Sequence, residues 1–332
     1  MPVTITITFS ERVENHTGME IIGEEVKEGF NIRDLVDIKN KLTNYETEIY
    51  YLNKPVINLD KEFNDDINNR AYILVVKDFV NKTLQNKDKS DKELYEEQTS
   101  FEWDSKMFSR KHKSGVVNKN ARHNVCYANF SQEADFINKK GTVIDFEKLP
   151  LLNYIKEFLS KLNKKCENLF AEGNKYYDIT KCGIGFHGDT ERKKVIGLRI
   201  GSNMDLHYQW YLRFKPVGKR MKIPLKGGDL YIMSNKAVGN DWKKSSILTL
   251  RHATGSYKYT NPKKEILEYL EPEKLKMNNI SFVKLFCSFP SKSNLIFLNS
   301  EIFIYLKKLL KFCIKHKKGN LKKVEDMATF IL

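Results

Sequence analysis

Thr alternates with Val, Ile and Phe over Val3-Thr-Ile-Thr-Ile-Thr-Phe9, the period of two that marks a half-buried strand. Glu14-Asn-His-Thr-Gly18 reads as a turn, with His16 a turn residue, and 19–22 as a returning strand. Asn31 predicts the N-cap of a helix that ends near Leu42 and gathers Leu35, Ile38 and Leu42 on one face. Stretches 48–52 and 71–76 read as two more strands. The order strand-strand-helix-strand-strand predicts a small, grasp-like α+β module over residues 1–80. Residues 81–105 follow as a linker, because 81–100 carry Asn, Lys, Asp, Glu and Ser with almost no core material, the pattern of a solvated linker or helix.

Further along, Leu151, Leu152, Ile155, Phe158, Leu159, Leu162 and Leu169 recur at helical spacing with lysines opposite. They predict a core-facing helix over 149–169, stopped at Gly173-Asn174. The period then turns to strands at 194–200, 208–214, 221–225, 228–234 and 247–259, joined by Gly, Pro and Asn turns with no helix between them. That succession predicts an antiparallel barrel or jelly roll over 106–260, in a mainly β protein with flanking helices. Residues 261–332 read as a helical extension. It contains a charged helix at 265–276 and a basic amphipathic one at 302–316, which packs on the barrel or lies on a membrane or nucleic acid.

Composition narrows the class. With 332 residues, 41% hydrophobic and 12% aromatic, the chain sustains a packed core and is not a disordered protein. The formal net charge of +15 favours a polyanionic partner, nucleic acid first and an anionic membrane second. A genomic bias toward Lys, Asn and Ile is the competing explanation. In 106–123, Lys106, Arg110, Lys111, Lys113, Lys119 and Arg122 are interleaved with Phe108, His112 and His123. This suits a surface that tracks a phosphate backbone as well as it suits an exposed basic loop. The five cysteines (Cys126, Cys166, Cys182, Cys287, Cys313) are odd in number and widely spaced. They suggest neither a disulfide framework nor a zinc knuckle, and so an intracellular, reducing compartment. The first residues form a strand rather than a signal peptide, and no apolar run is long enough to span a bilayer. Protein partners are not indicated.

The chemistry centres on His187-Gly-Asp189. A His and a carboxylate two residues apart on a strand end point the same way, and a second His from a distant strand would complete a two-His-one-carboxylate face. Such a face holds Fe(II) and leaves positions open for a co-substrate and oxygen.

Around this triplet, Asn174-x-Tyr176, Gly183-Ile-Gly-Phe-His-Gly-Asp-Thr-Glu191, Gly228-Asp-Leu and Leu248-Thr-Leu-Arg251 fall in an order that resembles AlkB-like Fe(II)/2-oxoglutarate dioxygenases over about 174–260. Glu14-Asn-His-Thr-Gly-Met19, Ala121-Arg-His-Asn124, Lys236-Ala-Val-Gly-Asn-Asp-Trp-Lys243 and Leu250-Arg-His-Ala253 are similar to segments of uncharacterised AlkB-like proteins of large DNA viruses and some microbial eukaryotes. The resemblance implies a double-stranded β-helix with iron in its mouth and His187 and Asp189 as ligands. It further implies that Asn174, Tyr176 and Arg251 contact 2-oxoglutarate. The loop where the family usually places its distal His reads Asn240-Asp-Trp-Lys-Lys-Ser-Ser and has none. His252 is chosen as third ligand, with His207 or a degenerate site as the alternatives. Because His252 and Arg251 are neighbours, both face the metal only across a bulge, and Lys258, which shares the parity of His252, becomes an alternative carboxylate anchor.

The implied activity is O2-dependent hydroxylation or demethylation of a nucleobase in DNA or RNA, by an oxidoreductase encoded by a virus and acting in its host cell. Tyr177, Phe186 and Trp210 could stack on a flipped base, or simply pack. The competing readings are a hydroxylase of a protein or small molecule, and a jelly roll that binds nucleic acid without catalysis.

Overall fold

The computed structural model describes residues 2–110, 112 and 115–261. Lys111, Lys113 and the expected helices at 265–276 and 302–316 lie outside the described residues.

Among those residues, twelve strands build two sheets: β1 (Thr4–Ser10), β2 (Thr47–Tyr51), β3 (Tyr72–Val76), β4 (His123–Ala128), β5 (Val143–Asp145), β6 (Phe170–Tyr176), β7 (Gly183–His187), β8 (Val195–Gly201), β9 (Leu206–Leu212), β10 (Lys215–Ile223), β11 (Leu230–Met233) and β12 (Thr249–Gly255). The large sheet has the order β2-β3-β11-β8-β1-β6-β4-β5 and the small one β7-β12-β9-β10. Only β4 and β5 pair in parallel. From β6 onward the chain alternates between the sheets, with β6, β8 and β11 in the large one and β7, β9, β10 and β12 in the small one. The gap this leaves between β6 and β8 is filled by β1, which pairs with both: Thr6 lies opposite Asn174 on one side and Arg199 on the other. The protein is therefore mainly β, with flanking helices α1 (Ile32–Lys41), α2 (Phe79–Leu84), α3 (Asp91–Thr99) and α4 (Pro150–Ser160).

Each face of the large sheet has its own core. Ile5, Ile7 and Phe9 of β1 join Ile196, Leu198 and Ile200 of β8 against Leu35 and Ile38 of α1 and Leu152 and Ile155 of α4. The opposite face meets the small sheet, where Val195, Tyr231 and Met233 pack on Leu206, Tyr208, Trp210 and Leu250. The threonines of β1 thus do not face solvent. Thr4, Thr6 and Thr8 are buried between the sheets, so the alternation reports a polar interior instead of a wet face.

Several sequence-based expectations change. The described residues fall in one compact unit, and a separate module at 1–80 is not seen, because β1, β2 and β3 are strands of the large sheet. The division at 81–105 is likewise not a linker. Ser90 caps α3 in a capping box, Leu84 and Leu94 are buried, and Glu97 accepts the backbone N–H groups of Leu151 and Leu152 at 2.8 and 3.0 Å. Glu97 so supplies the cap that α4 lacks in its own sequence. The helix α1 capped by Asn31 is as expected. Helix α4 stops at Ser160, well short of 169, and Gly173-Asn174 lies within β6. Gly173 is required there by packing, since a Cβ would sit 2.7 Å from the Trp103 ring and 2.8 Å from the Tyr127 hydroxyl. Cys126, Cys166 and Cys182 are unpaired and buried.

Ile7 sits fully buried in the central strand. Ile7→Ala should cost about 2–5 kcal/mol of stability by the loss of buried methylenes and the cavity left behind, measured as a shift in the urea unfolding midpoint.

Candidate metal centre

Strand β7 carries a bulge between Ile184 and His187, which re-aims its last residue. His187 then lies opposite His252 of β12 in register, and their ring centroids are 4.5 Å apart. After His187 the chain turns through Gly188, where a Cβ would collide with the Gly239 carbonyl at 2.0 Å. This close approach lets the 238–240 backbone brace the loop: the Asp189 N–H donates to Val238 O at 3.1 Å and Asn240 Nδ2 to Asp189 O at 2.5 Å. Asp189 Oδ1 is thereby held 3.4 Å from His187 Nε2 and 3.7 Å from His252 Nε2. Two ligands about 2.1 Å from a metal at right angles lie roughly 3 Å apart, so the three groups need only a small contraction to hold one ion. All their ligand atoms fall within 4.8 Å of one another. His187 Nδ1 lies 2.8 Å from Gly185 O; donating there fixes the tautomer that leaves Nε2 as the lone-pair donor.

The electrostatics suit a cation. Burial works against the Asp189 carboxylate, but the His187 hydrogen bond and the Arg192 charge outweigh it and hold its pKa well below the usual range. Burial, with His187 beside it, lowers the His252 pKa to about 3, so the imidazole is neutral and able to coordinate. Behind Asp189, the buried Arg192 approaches Oδ2 with Nε at 3.8 Å and donates through Nη2 to Glu172 at 2.5 Å and Glu191 at 2.7 Å.

The His-Asp-His face opens into a cavity of about 320 Å³ floored by the large sheet. Arg199 lies in this floor, fully buried in β8. Its Nη1 donates to Thr6 Oγ1 at 2.6 Å, while Nε and Nη2 have no hydrogen-bond partner among the described residues. A buried guanidinium with no acid paired to it among the described residues favours an anion beside it. Asn174 and Tyr176 share the same floor, and Asn174 Oδ1 accepts from Arg122 at 2.5 Å and Asn124 at 2.9 Å. Gly197 leaves room for the Tyr231 ring, which would lie 2.0 Å from a Cβ there.

The structure brings together His187, Asp189, His252, Asn174 and Tyr176, but not the remaining candidates. Arg251 faces away, as strict alternation beside His252 requires. Its guanidinium stacks 4.0 Å from the Tyr211 ring centroid and 5.1 Å from that of Trp242, and donates to Trp242 O. Lys258 is exposed, because β12 ends at Gly255 and a helical turn over Tyr257–Thr260 breaks the parity. His207 points to the other face of β9, near Asp205, Arg220 and Lys222. Trp210 is a core residue that donates to Leu52 O, Tyr177 stacks on His123, and Phe186 lies against Tyr211; none lines the cavity. In the basic segment, Lys119 is buried and donates to Asn15 Oδ1, and Arg122 turns into the cavity.

Sequence reasoning missed Arg199, Arg192 and Glu172. The signal for Arg199 was a lone charge inside the apolar strand Val195-Ile-Gly-Leu-Arg-Ile200. The far wall was also missed, although the segments 14–19 and 121–124 had been singled out: Glu14, His16 and Arg122 all line the cavity. Burial raises the Glu14 pKa to about 7, and burial next to Arg122 and Lys119 lowers that of His16 to about 4. For His16 the unfolded chain binds the proton more readily, so stability is lost as pH falls from about 6.5 toward 4. For Glu14 the sign is opposite. Wild type should therefore lose stability relative to His16→Gln between pH 7 and pH 5, read as the difference in urea midpoints of the metal-free proteins.

No protein-family model matches the chain. None of the helices among the described residues is long and apolar enough to cross a membrane. Over 258 residues the chain is 46% identical to an uncharacterized protein of Acanthamoeba polyphaga mimivirus, an alignment that covers 77% of this chain and 97% of that protein. The chain belongs to the family of that giant-virus protein.

Proposed function

We propose that this protein is an Fe(II)- and 2-oxoglutarate-dependent oxygenase of the AlkB-like type that oxidises a nucleobase in DNA or RNA. The observation that carries the reading is the coincidence, in one cavity, of the His187-Asp189-His252 face with a buried guanidinium, Arg199, that has no acid partner among the described residues. The sheet order supports a double-stranded β-helix: seven strands from β6 to β12 wind between two sheets in jelly-roll fashion, and β1 takes the place of an eighth. The mimivirus relative supports a virus-encoded protein.

His187, Asp189 and His252 would hold Fe(II) on one side, leaving the cavity side open. Bound there with 2-oxoglutarate and O2, the metal supplies oxidation of a C–H bond, with succinate and CO2 as co-products. The protein's own residues bind and orient. Arg199, with Thr6 beside it, replaces Arg251 and Lys258 as the carboxylate anchor, since of these three Arg199 alone lines the cavity, with Nε and Nη2 unbonded among the described residues, and a guanidinium fork fits a carboxylate. The Asn174 amide and the Tyr176 phenol, on the same face of β6, add polar contacts to the chelating ligand.

A polyanionic substrate fits the charge distribution. Residues 106–261, which carry both metal-binding segments, hold 30 Lys and Arg against 13 Asp and Glu, whereas residues 1–105 hold 13 against 22. The loop 240–246 without a histidine had favoured a binding protein without catalysis. With His252 opposite His187 that argument loses its force.

Anaerobic addition of Fe(II) and 2-oxoglutarate should give wild type the weak visible charge-transfer band of a chelate, and His252→Ala should lose it; a band that persists in the variant, or none in wild type, would sink the assignment. Arg199→Gln should keep metal binding but weaken 2-oxoglutarate roughly 100-fold, as expected for the loss of two charge-assisted hydrogen bonds. Turnover of 2-oxoglutarate with and without methylated single-stranded oligonucleotides would then test the substrate class.

A further inference from the structure

We infer that Glu172 is a positioning residue for the metal centre, a single carboxylate that fixes both the guanidinium behind Asp189 and the amide of the cavity floor. The inference rests on the metal-site reading above.

Glu172 is buried on β6, and its strand partner across the sheet is Thr8 of β1. One oxygen accepts from Arg192 Nη2 at 2.5 Å and the other from Asn174 Nδ2 at 3.0 Å. Through Arg192 it reaches Asp189 Oδ2, and through Asn174 it reaches Arg122 at the far wall. The Arg192 fork is thus shared among three carboxylates. Two of them, Asp189 and Glu191, stand on the same short loop as Arg192 itself, while Glu172 belongs to the rigid floor. Glu172 is therefore the side chain that ties the Arg192 guanidinium to the sheet.

Removing the negative charge of Glu172 frees one arm of the guanidinium. The carboxylates left beside it are Glu191, already bonded at 2.7 Å, and Asp189, whose Oδ2 lies 3.8 Å from Nε; a closer Arg192–Asp189 pair competes with a metal for the same oxygens. Glu191 also accepts from Arg192, at 2.7 and 2.9 Å, but no other hydrogen bond to its carboxylate is seen among the described residues. A pure charge effect on Arg192 would be the same for either glutamate; a positioning effect belongs to Glu172 alone.

The test is titration of the metal-free full chain with Co(II), followed by d–d absorption, for wild type, Glu172→Gln and Glu191→Gln. Thermal midpoints of the same proteins before metal addition control for folding. Glu172→Gln should bind Co(II) about 10-fold more weakly, with an altered band shape, the size typical of groups that orient metal ligands, while Glu191→Gln stays within about twofold of wild type. Should Glu172→Gln fail to fold, Arg192→Lys carries the test, because it keeps the charge but loses the fork and should show the same 10-fold loss. Equal affinities for the two glutamate variants, or for Arg192→Lys and wild type, would overturn the inference while leaving the metal site standing. Failure of wild type to take up Co(II) would overturn both.

Discussion

The cost of keeping ionised groups out of water governs this structure. Arg192, Arg199, Glu172 and Asp189 all face one cavity between two sheets, and each is buried or nearly so. An isolated buried charge is strongly unfavourable, so every such group must find a counter-charge, a hydrogen bond or a ligand. Arg192 finds three carboxylates, Glu172 an arginine and an amide, and Asp189 two imidazoles. Arg199 finds one threonine. That residual imbalance makes the floor a place for an anion, just as the two imidazoles and the aspartate make the wall a place for a cation.

What offsets the cost lies on the other side of the same strands. Because successive side chains alternate, β1 and β8 send Ile5, Ile7, Phe9, Ile196, Leu198 and Ile200 into one apolar core while their neighbours Thr6, Thr8 and Arg199 face the cavity. A polar interior is tolerable here because it is one residue thick and backed by a dense layer of helices. The loop over 188–192 adds precision, since it is clamped by the 238–240 backbone, and Lys236 secures the neighbouring loop through Asp241 and Leu248 O.

Much of this was legible in the sequence where the governing interaction is local. The capped helix after Asn31, the strands at 195–201 and 230–233, and the pairing of His187 with Asp189 two positions on follow from propensity and period. His252 was chosen as the one strand histidine after the Gly228-Asp229 turn, and the register with β7 places it opposite His187. Misreadings came where distant contacts decide. The threonine face of β1 looked solvated because nothing local says that a second sheet covers it. The polar run at 81–100 looked like a linker because its value lies in what Glu97 and Gln98 do for α4, Trp103 and Tyr127. Arg251 was favoured by resemblance over alternation, and alternation prevailed. Arg199 was passed over as part of an apolar strand, although a lone charge in such a run is the strongest local hint of a buried site.

The position of β1 has a consequence for how the chain acquires its structure. Thr8 lies between Glu172 and Gly197, so the central strand of the large sheet finds its neighbours only across more than half of the described sequence. At ribosomal rates of about 5–20 residues per second, β1 waits roughly 8–30 s after its own synthesis before β6 exists. Until then its apolar edge, Ile5-Thr-Ile-Thr-Phe9, is an unpaired strand of high β-propensity, prone to pair with other chains. Closure of the sheet is therefore a late, long-range event.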